Sequence, residues 1–305
     1  MRKVIALTGL LAGMTLLAGI LARRSAQVER RQPFAGVNPA EAAKLELERG
    51  GETTVLERSG DAWRVTAPFP DLADSAPVQE IVQGLSKLSL GLEVSREVSS
   101  YPDYTIHEAS ATRVRLTLAG EAAPKIDAYF GKEALGYDSL YVRFPREAPV
   151  YIATGLGSWR LNRSASDFRD RRVMGMEKEA VESARLSGPG FNYDLTKTSA
   201  GWSQSRLTIP EDRLTGFLEA LTGLRASDFA APEDSRAADF ERPALTAELS
   251  GGLLRARLVI GGAKAEKSGA PIHRFARVDG RPAVLLIGRS DVEALLAILK
   301  PSGKK

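Results

Sequence analysis

One stretch of this chain is written twice, and the duplication limits the architecture more than any other feature. The first copy reads KLELERGGETTVLERSGDAWRV, then a Pro-containing polar loop, then APVQEIVQGLSKL. The second reads SARLSGPGFNYDLTKTSAGWSQ, then a shorter Pro-containing loop, then EDRLTGFLEALTGL. Trp63 and Trp202 each follow a Gly turn, in SGDAW and TSAGW. The stretches after them share an apolar template: Val78, Ile81, Val82, Leu85 and Leu88 against Leu214, Phe217, Leu218, Leu221 and Leu224. The spacing i, i+3, i+4, i+7, i+10 marks one buried face of an α-helix. Equivalent places for the two tryptophans point to a shared core role in preference to an exposed ligand platform.

Around each helix the pattern changes to period two. Leu45, Leu47 and Val55 alternate with polar residues, and Arg113-Val114-Arg115-Leu116-Thr117-Leu118 alternates cleanly. Such runs predict antiparallel strands that are apolar on one face and wet on the other. Further extended segments are predicted at 92–98, 125–130, 140–144 and 150–153, and in the second copy at 245–249, 255–260, 273–278 and 284–287. Phe130-Gly131-Lys132 matches Ile260-Gly261-Gly262, each read as a strand ending in glycine. A shorter helix closes each copy. Ser290-Asp291-Val292-Glu293 forms a capping box before ALLAIL and Pro301, and the counterpart starts near Thr154 and carries Trp159 and Leu161.

The N-terminus adds a different element. Val4 to Ala22 reads VIALTGLLAGMTLLAGILA, without charge and about as long as one bilayer crossing requires. Ile20 stands three residues before the Ala22–Arg23 junction and Arg23-Arg24 follow it, which disfavours cleavage. An uncleaved signal anchor is therefore expected. Arg2 and Lys3 compete with Arg23, Arg24, Arg30 and Arg31 in setting its orientation. The polar segment with Pro33 and Pro39 reads as a juxtamembrane tether. The predicted class is thus α+β, with an N-terminal transmembrane helix and two repeated modules. Each module is a mostly antiparallel sheet with one main packed helix and a shorter closing helix. The expected divisions are 1–24 anchor, 25–41 tether, 42–173 first repeat and 174–305 second repeat.

Chemistry is harder to find. A net charge of +4 with intermixed signs argues against a nucleic-acid partner. The absence of cysteine excludes disulfides, thiolate zinc sites and iron–sulfur clusters. His107 and His273 have no histidine or carboxylate at metal-ligand spacing. No G-x-S-x-G elbow, phosphate loop or G-x-G-x-x-G is present. The acidic pairs Glu211-Asp212 and Glu233-Asp234 fit solvation and helix-dipole roles. No catalytic residue, metal ligand or cofactor is assigned. The densest charge cluster runs from Asp167 to Val173, and its Arg169, Arg171 and Arg172 are the candidate partner-binding residues. Arginine forks suit carboxylates, phosphates or an acidic protein patch. The competing reading is a solvated linker partly neutralised by Asp167 and Asp170.

In Gly60 to Val65, Ala73-Asp74, Gly131, Tyr141-Val142-Arg143, Val150-Tyr151 and Phe168 to Val173, the chain resembles the bacterial domain-of-unknown-function 4340 family. The likeness covers nearly everything after the tether. It implies a membrane-anchored envelope protein, often encoded beside ABC-transporter components of the gliding-motility type. It carries over no catalytic residue. The chain departs from the family pattern at Tyr104-Thr105-Ile106, where Tyr-Gly-Leu is usual. The resulting expectation is a non-enzymatic accessory or scaffold subunit of an ABC-transporter-like assembly. It would sit in the bacterial inner membrane through Val4–Ala22, its folded part in the periplasm, partnered by transporter or other envelope subunits. Two alternatives are a module binding envelope glycan, lipid or peptide between the repeats, and an unrecognised hydrolase.

Overall fold

The computed structural model describes residues 31–205, 209–265 and 269–299. The expected membrane segment Val4–Ala22 lies outside them, and no helix among the described residues is long and apolar enough to cross a membrane. The chain divides into two compact units. One takes the residues up to Trp63 together with Ser75–Ser164, and the other Arg64–Asp74 with Ala165–Lys305. The division therefore falls before residue 173, and the loop after the first tryptophan goes with the second unit.

The first nine strands are β1 (Ala42–Arg49), β2 (Glu52–Ser59), β3 (Ala62–Ala67), β4 (Asp71–Leu72), β5 (Ser89–Ser95), β6 (Thr112–Leu118), β7 (Ile126–Glu133), β8 (Ser139–Arg143) and β9 (Val150–Thr154). The second set is β10 (Ser183–Gly188), β11 (Phe191–Thr198), β12 (Gly201–Ser205), β13 (Asp228–Phe229), β14 (Leu245–Gly251), β15 (Leu254–Ala263), β16 (His273–Val278) and β17 (Leu285–Gly288). The helices are α1 (Ser75–Ser86), α2 (Ser158–Leu161), α3 (Glu211–Thr222) and α4 (Arg289–Leu299). The sheet orders are β4-β3-β2-β1-β6-β7-β8-β9-β5 and β12-β11-β10-β14-β15-β16-β17-β13. Without β4 the two orders correspond strand for strand, so the duplication seen in the sequence is a duplication of topology. The class is α+β, with mostly antiparallel sheets and few helices.

Period-two alternation explains which face each sheet buries. Leu45 lies opposite both Leu56 and Leu116, and Leu47 lies opposite Val114, all buried. Glu46 lies opposite Arg115 on the wet face and is ion-paired to it. The buried face of α1 is Val78, Ile81, Val82 and Leu85, as its spacing predicts. Trp63 lies beside Val82 and Gln79 of that helix. In the second unit α3 buries Leu214, Phe217, Leu218 and Leu221, and Trp202 packs half-buried against the same core. Burying aliphatic side chains of this size stabilises by roughly 1.5–3 kcal/mol each, which is what holds each helix on its sheet.

Three local expectations are corrected. The described part of the tether is mostly exposed but is pinned to the first unit at a few points. Arg31 bridges Leu90, Phe34 and Val37 are buried, and Phe34 meets Phe144 edge-on at 6.0 Å. Neither β7 nor β15 ends at its glycine. Each runs on to Glu133 or Ala263, and the register shifts at Phe130/Glu133 and Ile260/Ala263 make a bulge there. The last helix starts at Arg289, so Ser290 of the expected capping box sits inside the first turn.

Candidate functional site

Among the places in the described residues that bring charge or aromatic chemistry together are the predicted arginines, a tyrosine-lined arginine in the first unit, and the wet face of the second sheet.

The predicted arginines lie on an extended strip of the second unit. The Phe168 carbonyl accepts from Asp74 N–H at 2.8 Å, and Asp170 N–H donates to Leu72 O at 2.9 Å. On the strip's further course, Ala226 N–H donates to Arg171 O at 2.7 Å and Val173 N–H to Leu224 O at 3.1 Å. The backbone is thus bonded on both sides, and this alternation fixes where each side chain goes. Arg169 is only 7% exposed. Its Nη2 donates to Phe69 O at 3.1 Å, its guanidinium lies 4.6 Å from the Phe229 ring centroid, and its Nε approaches Asp71 at 3.9 Å without a hydrogen-bond partner. Burial depresses the Arg169 pKa, against the opposing pull of Asp71. Arg171 donates from Nη1 to the carbonyls of Ala226 and Ser227. Arg172 forms a fork on Asp170, with Nη2 2.7 Å from Oδ2, and its side chain is 65% exposed.

Two residues that sequence reasoning missed complete this cluster. Asp71, in the Pro-rich loop, and Arg281, after the turn at Asp279-Gly280, are both buried and ion-paired at 2.8 Å. Arg281 also donates to the carbonyls of Arg172 and Asp170. Three guanidinium groups, of Arg169, Arg171 and Arg281, lie within 6 Å of the Phe229 centroid. Burial tends to raise the Asp170 pKa, but hydrogen bonds from the Arg172 side chain and N–H and the nearby arginine charges hold it below the ordinary carboxylate range. The cluster therefore binds the unit's own groups. Of the three predicted arginines, Arg172 is the one that presents most of its side chain to solvent.

The second place lies in the first unit. Arg143, 5% exposed, is sandwiched between Tyr101 and Tyr129 with its guanidinium 4.8 and 4.6 Å from their centroids. The segment Val98–Tyr104 turns over this part of β7 and β8 and brings Tyr104 to 4.7 Å from Tyr141. Glu108 is the facing carboxylate, at 3.6 Å, and Arg143 Nε has no hydrogen-bond partner. Burial raises the Tyr129 pKa, partly offset by the Arg113 and Arg143 charges. The repeat is visible here too. Tyr129 lies opposite Arg143, as Val259 lies opposite Arg277, and Arg277 meets Phe240 at 4.9 Å. Sequence alternation on Tyr141-Val142-Arg143 marks Arg143 as wet-faced; the covering segment that buries it has no periodic signal.

The third place is a concavity of about 520 Å3 on the wet face of the second sheet. Across it runs a row of alternating charge, with Arg185 bonded to Asp194 at 2.7 Å, Arg257 to Glu248 at 3.1 Å, and Arg257 3.8 Å from Asp279. These charges neutralise one another along the pleat. His107 Nδ1 accepts from Ala109 N–H in a local turn, and His273 lies on β16 of the other unit. Among the described residues no group of three or more His, Cys, Asp or Glu is placed to hold a metal ion.

A family model described as "Domain of unknown function (DUF4340)" matches residues 63–243. The match starts at Trp63 and spans the strip of arginines, Asp71 and Arg143. No curated protein and no solved structure matches the chain.

Proposed function

The chain belongs to this family of unknown function, DUF4340, and from that premise we propose that it acts as a non-enzymatic accessory or scaffold subunit of an envelope assembly of the ABC-transporter kind. In this reading Val4–Ala22 is a single-pass anchor in a bacterial inner membrane and the folded part stands in the periplasm. The duplicated sheet carries the proposal. Both copies bury one face under a helix and present the other as rows of mutually paired charges, such as Glu46–Arg115 with Arg113–Asp127, and Asp194–Arg185–Glu248. Charge that is spread and paired suits docking with a specific register.

The test is crosslinking in native membranes followed by affinity capture of the full chain. Recovery of integral transporter subunits is the expected result. Recovery of no envelope protein overturns the reading. An Arg172→Gln variant, which removes the charge without setting an acid beside Asp170, reports whether the sequence-predicted arginine strip is part of the docking surface.

A second reading has its own support in the concavity lined by Arg185, Asp194, Glu248 and Arg257, which suits a polar envelope glycan or peptide. A thermal-shift screen with soluble glycan and peptidoglycan fragments tests it, and an unshifted midpoint across the screen removes it.

A further inference from the structure

The first unit carries an apolar ledge that neither its sheet nor its helices use. Leu135 and Tyr137, on the turn between β7 and β8, are 86% and 71% exposed. Tyr137 stacks on Trp159 of α2, with ring centroids 6.3 Å apart. Arg160 and Arg163 lie 4.4 and 5.4 Å from the Trp159 ring, and each is tied to an acid, Arg160 to Asp138 at 3.1 Å and Arg163 to Glu80 at 2.8 Å. A leucine left 86% exposed at a turn tip, two residues from a stacked Tyr–Trp pair, makes an apolar patch of the kind that marks an interaction surface.

Strand register says what lies beside it. Arg31 bridges Leu90, Leu90 lies opposite Ala153, and Ala153 lies opposite Leu140, which adjoins the ledge turn. Three strand spacings of about 4.8 Å put Arg31 roughly 14 Å from Leu140. Only residues 23–30 separate Arg31 from the apolar stretch Val4–Ala22, and a chain of that length spans at most about 30 Å. A bilayer that holds Val4–Ala22 is therefore within reach of the ledge.

We propose that Leu135, Tyr137 and Trp159 form a membrane-interface contact that seats the first unit on the phospholipid bilayer beside its own anchor. Tyrosine and tryptophan favour the headgroup level, where one end of the ring is apolar and the other wet. The proposal rests on the anchor reading above, and its test separates the two.

The chain has no cysteine, so single substitutions carry a unique label. Leu135→Cys and Asp61→Cys are made in the full chain, labelled with an environment-sensitive fluorophore and reconstituted into phosphatidylethanolamine–phosphatidylglycerol vesicles. Asp61 is a fully exposed control. It lies beyond the Ser59 end of β2, whereas the ledge is at the end where Arg49 meets Glu52 and Glu48 meets Arg113. The expected result is a blue shift and loss of quenching by aqueous iodide at position 135 and neither change at 61. Equal exposure of both labels in chains that float with the vesicles overturns the ledge and leaves the anchor standing. Failure to float after an alkaline wash overturns the anchor and the ledge with it. Protection of position 135 in native membranes alone assigns the ledge to a protein partner and overturns the bilayer contact.

Discussion

Arg281 holds both carboxylate oxygens of Asp71, Nε to Oδ1 at 2.8 Å and Nη2 to Oδ2 at 2.9 Å, across 210 positions of sequence. Both side chains are buried, and Arg169 comes within 3.9 Å of the same carboxylate. One buried acid therefore balances two buried guanidinium groups, with Phe229 against both. Removing a partner from such a set leaves a buried charge without its hydrogen-bonded counter-ion.

Asp71→Ala is expected to lower the unfolding free energy by about 3–5 kcal/mol, the usual cost of breaking a buried pair from one side. Arg172→Ala, which removes the fork on the buried Asp170 but keeps the Arg172 N–H bond to it, should cost less, about 1–2 kcal/mol. Urea unfolding of both variants checks the contrast. Similar losses for the two would mean that the Asp71 site is hydrated in solution.

Acid should loosen this corner of the second unit. The Asp170 pKa lies below its ordinary value in the folded chain, so the folded state binds a proton there less readily than the unfolded state. Its stabilisation is complete above the unfolded carboxylate pKa, about 3.9, and is lost as pH falls through the depressed folded value. Asp170→Asn should therefore be less stable than the parent at pH 7, with the gap closing below about pH 4. Denaturant midpoints measured from pH 7 down to pH 2.5 test this, and a gap independent of pH would show that the Asp170 charge contributes nothing.

The parts of this architecture that obey a period were readable before any coordinates. Leu45, Leu47, Val114 and Leu116 face one way because a strand alternates, and Val78 to Leu85 share one face because a helix does not. The repeated Trp63 and Trp202 made the duplication plain. Long-range pairing of irregular segments was not readable. Asp71 sits among prolines in a loop that looks solvated, and nothing local links it to Arg281. Phe34 and Val37 are two apolar residues in a polar stretch, too few to show a period, yet both are buried. Arg169 shares its local pattern with the exposed Arg172, and only the bonded strip between residues 72–74 and 224–226 tells them apart.

The bulge glycines should be intolerant of any side chain. A Cβ on Gly131 would lie closer than 3.0 Å to the Tyr104 carbonyl oxygen, and one on Gly261 equally close to that of Ala238. Backbone on both sides leaves little room to yield, so Gly131→Ala and Gly261→Ala should each destabilise by about 1–3 kcal/mol or more. Gly216→Ala is the control: it lies in α3 with open space around it and should stabilise by about 0.5–1 kcal/mol. Thermal unfolding of the three variants decides, and a neutral Gly131→Ala would mean that the covering segment is not seated on β7.

That covering segment also contains a conformational cost that one substitution can remove. After Val98–Tyr104 the chain reverses at Thr105, whose φ of 54° and ψ of 38° are left-handed. The turn is closed by Thr105 N–H on Pro102 O at 3.1 Å and Ile106 N–H on Tyr101 O at 3.0 Å. The corresponding turn of the second repeat, just after Ala238, has Asp239 at φ 47°, and Asp tolerates this region better than a β-branched residue. Glycine at position 105 would meet the same backbone demand without strain. A left-handed L-residue costs roughly 1–2 kcal/mol, and glycine gives back about 0.5–1 kcal/mol through the entropy of the unfolded chain. Thr105→Gly should therefore stabilise the first unit by up to about 1 kcal/mol, and Thr105→Val should gain nothing because it stays β-branched. Denaturant unfolding of the two variants is the check. Destabilisation by Thr105→Gly would mean that the Thr105 side chain, and not its backbone, sets this turn.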